Sequence, residues 1–200
     1  MDNRFNPCRG LLRPSDPAPF KIINGSSTKP MLLLCDHASR AVPVSLVDLG
    51  LKKKDFDRHI AYDIGAGAVA TQLSDHLDAT LILAGYSRLV IDLNRPSDHP
   101  DSIVENIDET RIPANEDITK QEREMRVEEI FNPYHKRISL ELTRLNNLGT
   151  PPFILSIHSF SPSYGPTPRP WGIGVLWNQD HRLAMPLIRM LKDLGLNVGD

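Results

Sequence analysis

Cysteine is scarce in this 200-residue chain: Cys8 and Cys35 are the two, unlike a disulfide framework or a zinc-knuckle spacing and compatible with a reducing cytoplasm. Long hydrophobic runs are missing as well. Nowhere do about 18 consecutive apolar residues occur, and no apolar stretch follows Arg4 and Arg9, which argues against membrane spanning and secretion. Positive charge is not in excess, and a net charge of −2 speaks against binding nucleic acid through general basicity. Gly65-Ala66-Gly67 matches neither the dinucleotide nor the P-loop pattern, and Ser159 lacks the flanking glycines of a serine-hydrolase elbow. What remains is a soluble intracellular protein whose partner is a small molecule, with no nucleic acid, no membrane and an oligomeric state left open.

A hydrophobic content of 40% supports one domain with a single sizeable core. Residues 1–30 hold five of the seventeen prolines (Pro7, Pro14, Pro17, Pro19, Pro30) and read as an irregular arm, which leaves 31–200 as one α/β domain. MLLLC (31–35) is short and wholly apolar, the mark of a buried strand. TLILA (80–84), RLVIDL (88–93), FILSI (153–157) and IGVLW (173–177) read as further strands, TLILA and RLVIDL forming a hairpin or consecutive strands. Ile64, Ala68, Val69, Leu73 and Leu77 recur at helical spacing. Gly65 and Gly67 in the first turn suggest close approach of another backbone.

Residues 94–118 lack a period and form an unusually long loop. Thr119 and Glu122 have capping-box spacing, which predicts a charged helix to about Asn147 that Pro133 kinks or divides. A last helix runs from about Asp180 to Leu194 and stops at Gly195, and LNVGD looks like the entrance to another strand, as in a chain cut short. Strands alternating with helices predict an α/β sandwich with a mostly parallel or mixed sheet.

Ligands of open α/β sheets collect beyond the carboxyl ends of the strands. Here those ends lead into His37, into Asn94-Arg95, and into His158-Ser159. Two imidazoles with one carboxylate make a catalytic zinc set that leaves a fourth position open. The best-placed carboxylate is Asp63, in HIAYDIGAG; Asp36 and His59 are the alternatives. Each has a plainer reading, the histidines as hydrogen-bonding loop residues and Asp63 as a helix N-cap. Arg95 offers a planar fork for a substrate carboxylate with Asn94 and Ser159 beside it, or it pairs with Asp92 or Asp98. Arg88 points into the same crevice to stabilise an oxyanion, or covers the sheet edge.

CDHASRAVP (35–43), HIAYDIGA (59–66), YSRLVIDLNRP (86–96) and ILSIHSFSP (154–162) together resemble the N-formylglutamate amidohydrolase family, in its predicted-amidohydrolase branch, over about residues 20–200. The resemblance implies a three-layer αβα sandwich of the phosphorylase/hydrolase type, a relation to zinc carboxypeptidases, and hydrolysis of an N-formyl amino acid such as N-formylglutamate. It implies zinc bound by His158 and His37, and a substrate carboxylate held by Asn94-Arg95. Two departures stand out. Arg40 occupies the place, three residues after His37, where the carboxypeptidase pattern has glutamate, so Asp63 as third ligand is inferred separately. The general-base glutamate of a late strand is expected beyond residue 200. The competing readings are a non-catalytic small-carboxylate binding protein and a carboxypeptidase-like metallopeptidase.

Overall fold

A computed structural model of the chain describes residues 10–164 and 167–200; the remainder, which includes Cys8, lies outside the described residues. Strands β1 (Phe20–Ile23), β2 (Met31–Cys35) and β3 (Thr80–Ala84) are followed by a small hairpin, β4 (Asn106–Ile107) with β5 (Thr110–Arg111), and then by β6 (Phe153–Ser156). The main sheet has the order β1-β3-β2-β6. β2 pairs in parallel with both β3 and β6, and β1 closes one edge antiparallel to β3. The wholly apolar MLLLC run is therefore interior to the sheet, with neighbours on both sides.

Alternation along β2 sorts its side chains between two helical layers. Leu33 and Cys35, with Leu81 of β3, pack against Ala66 and Ala70 of helix α1 (Ala66–Leu77). Leu32 and Leu34, with Ile82 and Ala84, join Ile130, Tyr134 and Leu145 on the opposite face. Those last three belong to a helical run made of α2 (Lys120–Arg126), a π-helical turn (Val127–Phe131) and α3 (Asn132–Asn146). Helices cover both faces of a mixed sheet, as expected of an αβα sandwich.

The predicted capping box is present: Thr119 N–H donates to Glu122 Oε2 at 2.7 Å, and Glu122 N–H donates to Thr119 Oγ1 at 3.2 Å. Pro133 neither breaks nor ends the helix. It follows the π turn, where Asn132 N–H bonds the Val127 carbonyl five residues back, and a residue without an N–H is tolerated at this step between hydrogen-bond registers. Gly65 is explained by its φ of +82°, a left-handed N-cap, and not by close approach, since a Cβ there would meet nothing within 4 Å.

Three expectations need correction. RLVIDL is not a strand: Leu89, Val90 and Ile91 are as buried as strand residues, yet the segment is irregular. Its backbone polar groups are satisfied singly, with Asp92 N–H bonding the Ser102 carbonyl, and with side chains of Asn115 and Arg126 bonding the Leu89 and Val90 carbonyls. The proline-rich start of the chain contains β1, whose pairing to β3 is a long-range contact invisible to local composition. Of IGVLW only Ile173–Gly174 is strand, and Leu176 is 96% exposed.

The chain divides into two compact units, the second being Phe160–Asp200. Within it, β7 (Ser163–Tyr164) pairs with β8 (Thr167–Pro168). β9 (Ile173–Gly174) pairs in parallel with β10 (Val198–Gly199), the strand expected in LNVGD. Helix α4 (Ala184–Asp193) starts four residues later than predicted, and Gly195 follows it at φ +78°. No helix among the described residues is long and apolar enough to cross a membrane.

Leu33 is fully buried against Leu81 and Leu155 on the neighbouring strands. Leu33→Ala should cost about 2–5 kcal/mol in equilibrium urea unfolding, and a loss below about 1 kcal/mol would contradict this packing.

Candidate metal centre

The parallel register brings the site together. Leu34 lies opposite Ser156, and Ile157 N–H continues the ladder to the Leu34 carbonyl at 2.8 Å, so His158 emerges beside Asp36. Strand alternation then carries Asp36 to the face of Leu32 and Leu34, toward α3, and His37 to the face of Leu33 and Cys35, toward α1. At that end Asp63 N–H bonds the His37 carbonyl at 2.9 Å, and left-handed Gly65 starts α1 two residues later. The helix N-cap is therefore Gly65, and the Asp63 carboxylate is turned to the histidines.

Both imidazoles present the same nitrogen to the same oxygen. His158 Nδ1 lies 2.8 Å and His37 Nδ1 3.5 Å from Asp63 Oδ2. The opposite nitrogens go to separate carboxylates: His37 Nε2 lies 2.7 Å from Asp92 Oδ1, and His158 Nε2 lies 3.2 Å from Asp36 Oδ2. Asp36 also accepts from Ser156 Oγ (3.0 Å) and from the Tyr134 hydroxyl (2.6 Å). His37, Asp63 and Asp92 are buried, while the His158 side chain is 31% exposed at the rim.

Neighbouring charges set the direction of each pKa shift. Burial opposes ionisation of Asp92, but the His37 hydrogen bond and charge and the Arg88 guanidinium bring it down to about 2. At Asp63 burial is likewise outweighed, by the His158 hydrogen bond and the nearby His37 imidazole, and its carboxyl titrates well below the usual carboxylate range. Asp36 is lowered too, against burial, by His158 and Tyr134. Hydrogen bonds to Asp36 and Asp63 raise His158 to about 9. Burial disfavours a charged His37, yet Asp63 and Asp92 raise it overall. Cys35 is pushed up to about 12 by burial and by the charges of Asp63 and Asp36, so without a metal its thiol stays neutral.

Three carboxylates against one guanidinium leave two negative charges when both imidazoles are neutral. Two protons balance them, and so does one divalent cation. The donor set fits such an ion. His37 Nδ1 is buried without a hydrogen-bond partner, and one donor atom from each of His37, Asp63 and His158 lies within 4.8 Å of the others. Ligand atoms of a tetrahedral zinc site with N and O donors sit about 3.3 Å apart, between the 2.8 and 3.5 Å observed here. Asp92 and Asp36 occupy the outer positions that fix imidazole tautomers in carboxylate–histidine–metal arrangements.

The remaining predicted residues lie around this cluster. Arg88 Nη2 donates to Asp92 Oδ2 at 2.9 Å, and its Nη1 is 3.7 Å from Asp63 Oδ1, so it points into the crevice. Asn94 N–H caps Asp92 Oδ1 at 2.9 Å, and both Asn94 and Arg95 are exposed. Arg95 Nε is 3.8 Å from Asp92 Oδ2, a loose version of the plainer pairing. Ser159 contributes its backbone N–H to Asp63 Oδ2 at 3.2 Å. His59 is not in the cluster: it pairs with Asp108 at the surface. Arg40, in the place of the carboxypeptidase glutamate, pairs with Asp57 where both are exposed. Asp36 serves His158 from outside the donor set. The roles of Asp92, Ser156 and Tyr134 were not foreseen; for Asp36 the strand alternation 32, 34, 36 was the available signal.

Comparison with known proteins identifies the family. The family model for N-formylglutamate amidohydrolase matches residues 29–200. The chain belongs to the N-formylglutamate amidohydrolase family. Within 137 aligned residues it is 31% identical to an N-formylglutamate deformylase of Pseudomonas aeruginosa and 33% identical to one of Pseudomonas putida, each alignment covering 58% of this chain. The chain spans about half the length of these curated relatives, 46% of each. A crystal structure of a gene product from Agrobacterium tumefaciens superimposes with a TM-score of 0.90 at 32% identity, over 94% of this chain and 75% of that one. The N-formylglutamate amidohydrolase of Ralstonia eutropha shares the fold, with a TM-score of 0.72 at 19% identity over 92% and 76% of the two chains. All four motifs quoted from the sequence lie in the matched span of this amidohydrolase family, and three of them supply His37, Asp63 and His158 to the cluster.

His158 is raised from 6.5 to about 9, so its contribution to the stability of chelator-treated protein is complete below 6.5 and is lost as pH rises through about 9. Added zinc competes with those protons, so its stabilisation should grow over the same window. Thermal melts from pH 6 to 9, with chelator and with zinc, read both trends; a flat chelated series would contradict the ion pairs described.

Proposed function

We propose that the protein is a zinc-dependent amidohydrolase that cleaves the amide of an N-formyl amino acid such as N-formylglutamate, releasing formate and the free amine. The observation that carries the reading is the convergence of two imidazole Nδ1 atoms on one oxygen of Asp63, each ring held from behind by its own carboxylate. Family membership and the names of the Pseudomonas relatives supply the substrate class.

His37, Asp63 and His158 are the residues that would hold zinc. When bound, zinc supplies a Lewis acid that polarises a carbonyl and acidifies water toward a pKa of about 7. Asp92 and Asp36 accept from the Nε2 atoms, so that each ring offers its Nδ1 lone pair inward. Arg88, one quarter exposed beside Asp63, faces the place where negative charge grows on the scissile carbonyl oxygen. Beyond the rim, exposed Arg95 with Asn94 anchors the substrate carboxylate by a planar fork, and the Ser159 hydroxyl adds a hydrogen bond. Arg88 and Arg95 at the site suit an anionic substrate, and the neutral buried Cys35 thiol suits a reducing cytoplasm.

Formate release from N-formyl-L-glutamate by chelated protein, with and without added zinc, tests the activity directly. His158→Ala should abolish stoichiometric zinc and lower kcat/KM at least about a hundredfold, and full metal content in that variant would overturn the ligand set. Arg95→Ala should raise KM for dicarboxylate substrates about 10- to 100-fold, whereas an unchanged KM would remove its anchoring role. Tight binding of N-formylglutamate by zinc-loaded protein without formate release would leave a carboxylate-binding protein instead.

A further inference from the structure

We propose that a single helix braces both histidines of the centre: the π-helical turn Val127–Phe131 sets Arg126 and Tyr134 on one face, and these two position Asp92 and Asp36, the carboxylates that orient His37 and His158. The inference rests on the metal-centre reading above and adds two positioning residues to it.

The first arm runs through Arg126. This arginine is 1% exposed, and its hydrogen bonds go to amide oxygens: Nη1 to Val90 (2.9 Å) and to Asn115 Oδ1 (2.7 Å), Nη2 to Ala114 (3.1 Å). Asn115 in turn donates to the Leu89 carbonyl at 2.9 Å and to the Val104 carbonyl at 2.7 Å. A buried guanidinium is costly unless its donors are used; the three hydrogen bonds of Arg126 hold chain that no sheet holds, while its Nε has no partner. Two residues beyond Val90 the same irregular segment delivers Asp92 to His37 Nε2 at 2.7 Å.

The second arm runs through Tyr134, which is fully buried. Its hydroxyl donates to Asp36 Oδ1 at 2.6 Å, and the other Asp36 oxygen faces His158 Nε2 at 3.2 Å. Burial and the Asp36 charge push the phenol far above its ordinary value, so it acts as a donor throughout the physiological range.

Helical phase links the arms. At about 100° per residue, eight residues of uninterrupted α-helix would leave Tyr134 about 80° round from Arg126. The extra residue taken up by a π turn reduces this to about 20°, and Ile130 between them is buried on the same side. The turn thus brings the two side chains closer in phase than an uninterrupted helix would. A helix that only packed on the sheet would need apolar residues at these positions, not a phenol and a guanidinium with specific oxygen partners.

The test separates bracing from mere packing. Tyr134→Phe removes one hydroxyl, and Arg126→Lys keeps a cation while losing the fork. Zinc dissociation constants by chelator competition should rise about tenfold in each, the range seen when outer partners of metal-bound histidines are removed. In chelated protein the imidazole Nε2–H resonances should respond selectively: His158 exchanges faster with solvent in Tyr134→Phe, His37 in Arg126→Lys. Wild-type zinc affinity together with unchanged imidazole protection in Tyr134→Phe would overturn the proposal, even if the melting temperature falls. Failure of the wild type to bind zinc would strike the metal reading alone, because the imidazole protons still report the bracing.

Discussion

Strand β2 pairs in parallel with β6 from Met31↔Phe153 to Leu34↔Ser156, and the proposed centre depends on that register. It sets His158 beside Asp36 and His37, residues that lie more than a hundred positions earlier in the chain. A slip of one residue would exchange the faces of Asp36 and His37, sending the imidazole toward α3 and the carboxylate toward α1. The apolar residues make such a slip costly. Leu32 and Leu34 would leave the α3 face for the α1 face, and Leu33 and Cys35 the reverse, in two cores of different shape. Burial far from the rim thus holds the polar residues in place at the rim.

The electrostatics follow from that placement. Three aspartates close together would repel one another, and burial would raise their pKa values, unless cations were interleaved. His37, His158 and Arg88 supply the cations, and each aspartate faces at least one of them. The raised pKa values of both histidines favour their charged forms in this network, and the same donor set could hold a divalent ion in place of the protons. Arg88 is common to both conditions, since it faces Asp92 and Asp63 at once.

The irregular segment after β3 shows how burial and secondary structure can part company. RLVIDL has the composition of a strand and the burial of a strand, but its carbonyls are bonded by Asn115 and Arg126 side chains. A strand there would have directed alternate residues to opposite faces and confined Arg88 and Asp92, four apart, to a straight line. Irregular backbone lets Arg88 donate to Asp92 while Asp92 meets His37. Likewise, the π turn before Pro133 joins two stretches that helical propensity alone would have either fused in regular phase or separated.

The sequence by itself determined the strands MLLLC, TLILA and FILSI, the capped helix after Thr119, and the position of two histidines just past strand ends. These are consequences of neighbours along the chain: wholly apolar runs must be buried, a threonine and a glutamate three apart cap each other, and strand ends meet solvent. Asp63 was also legible, as a carboxylate just ahead of a helix whose first turn tolerates a left-handed glycine. Tertiary structure alone decided that Asp36 and Asp92 stand behind the imidazoles and not among the donors, that β1 extends the sheet from a proline-rich arm, and that one helix carries both Tyr134 to Asp36 and Arg126 to the segment ahead of Asp92. Each of those depends on register or helical phase between segments tens of residues apart, and such relations arise only when the sheet and its two helical layers are packed together.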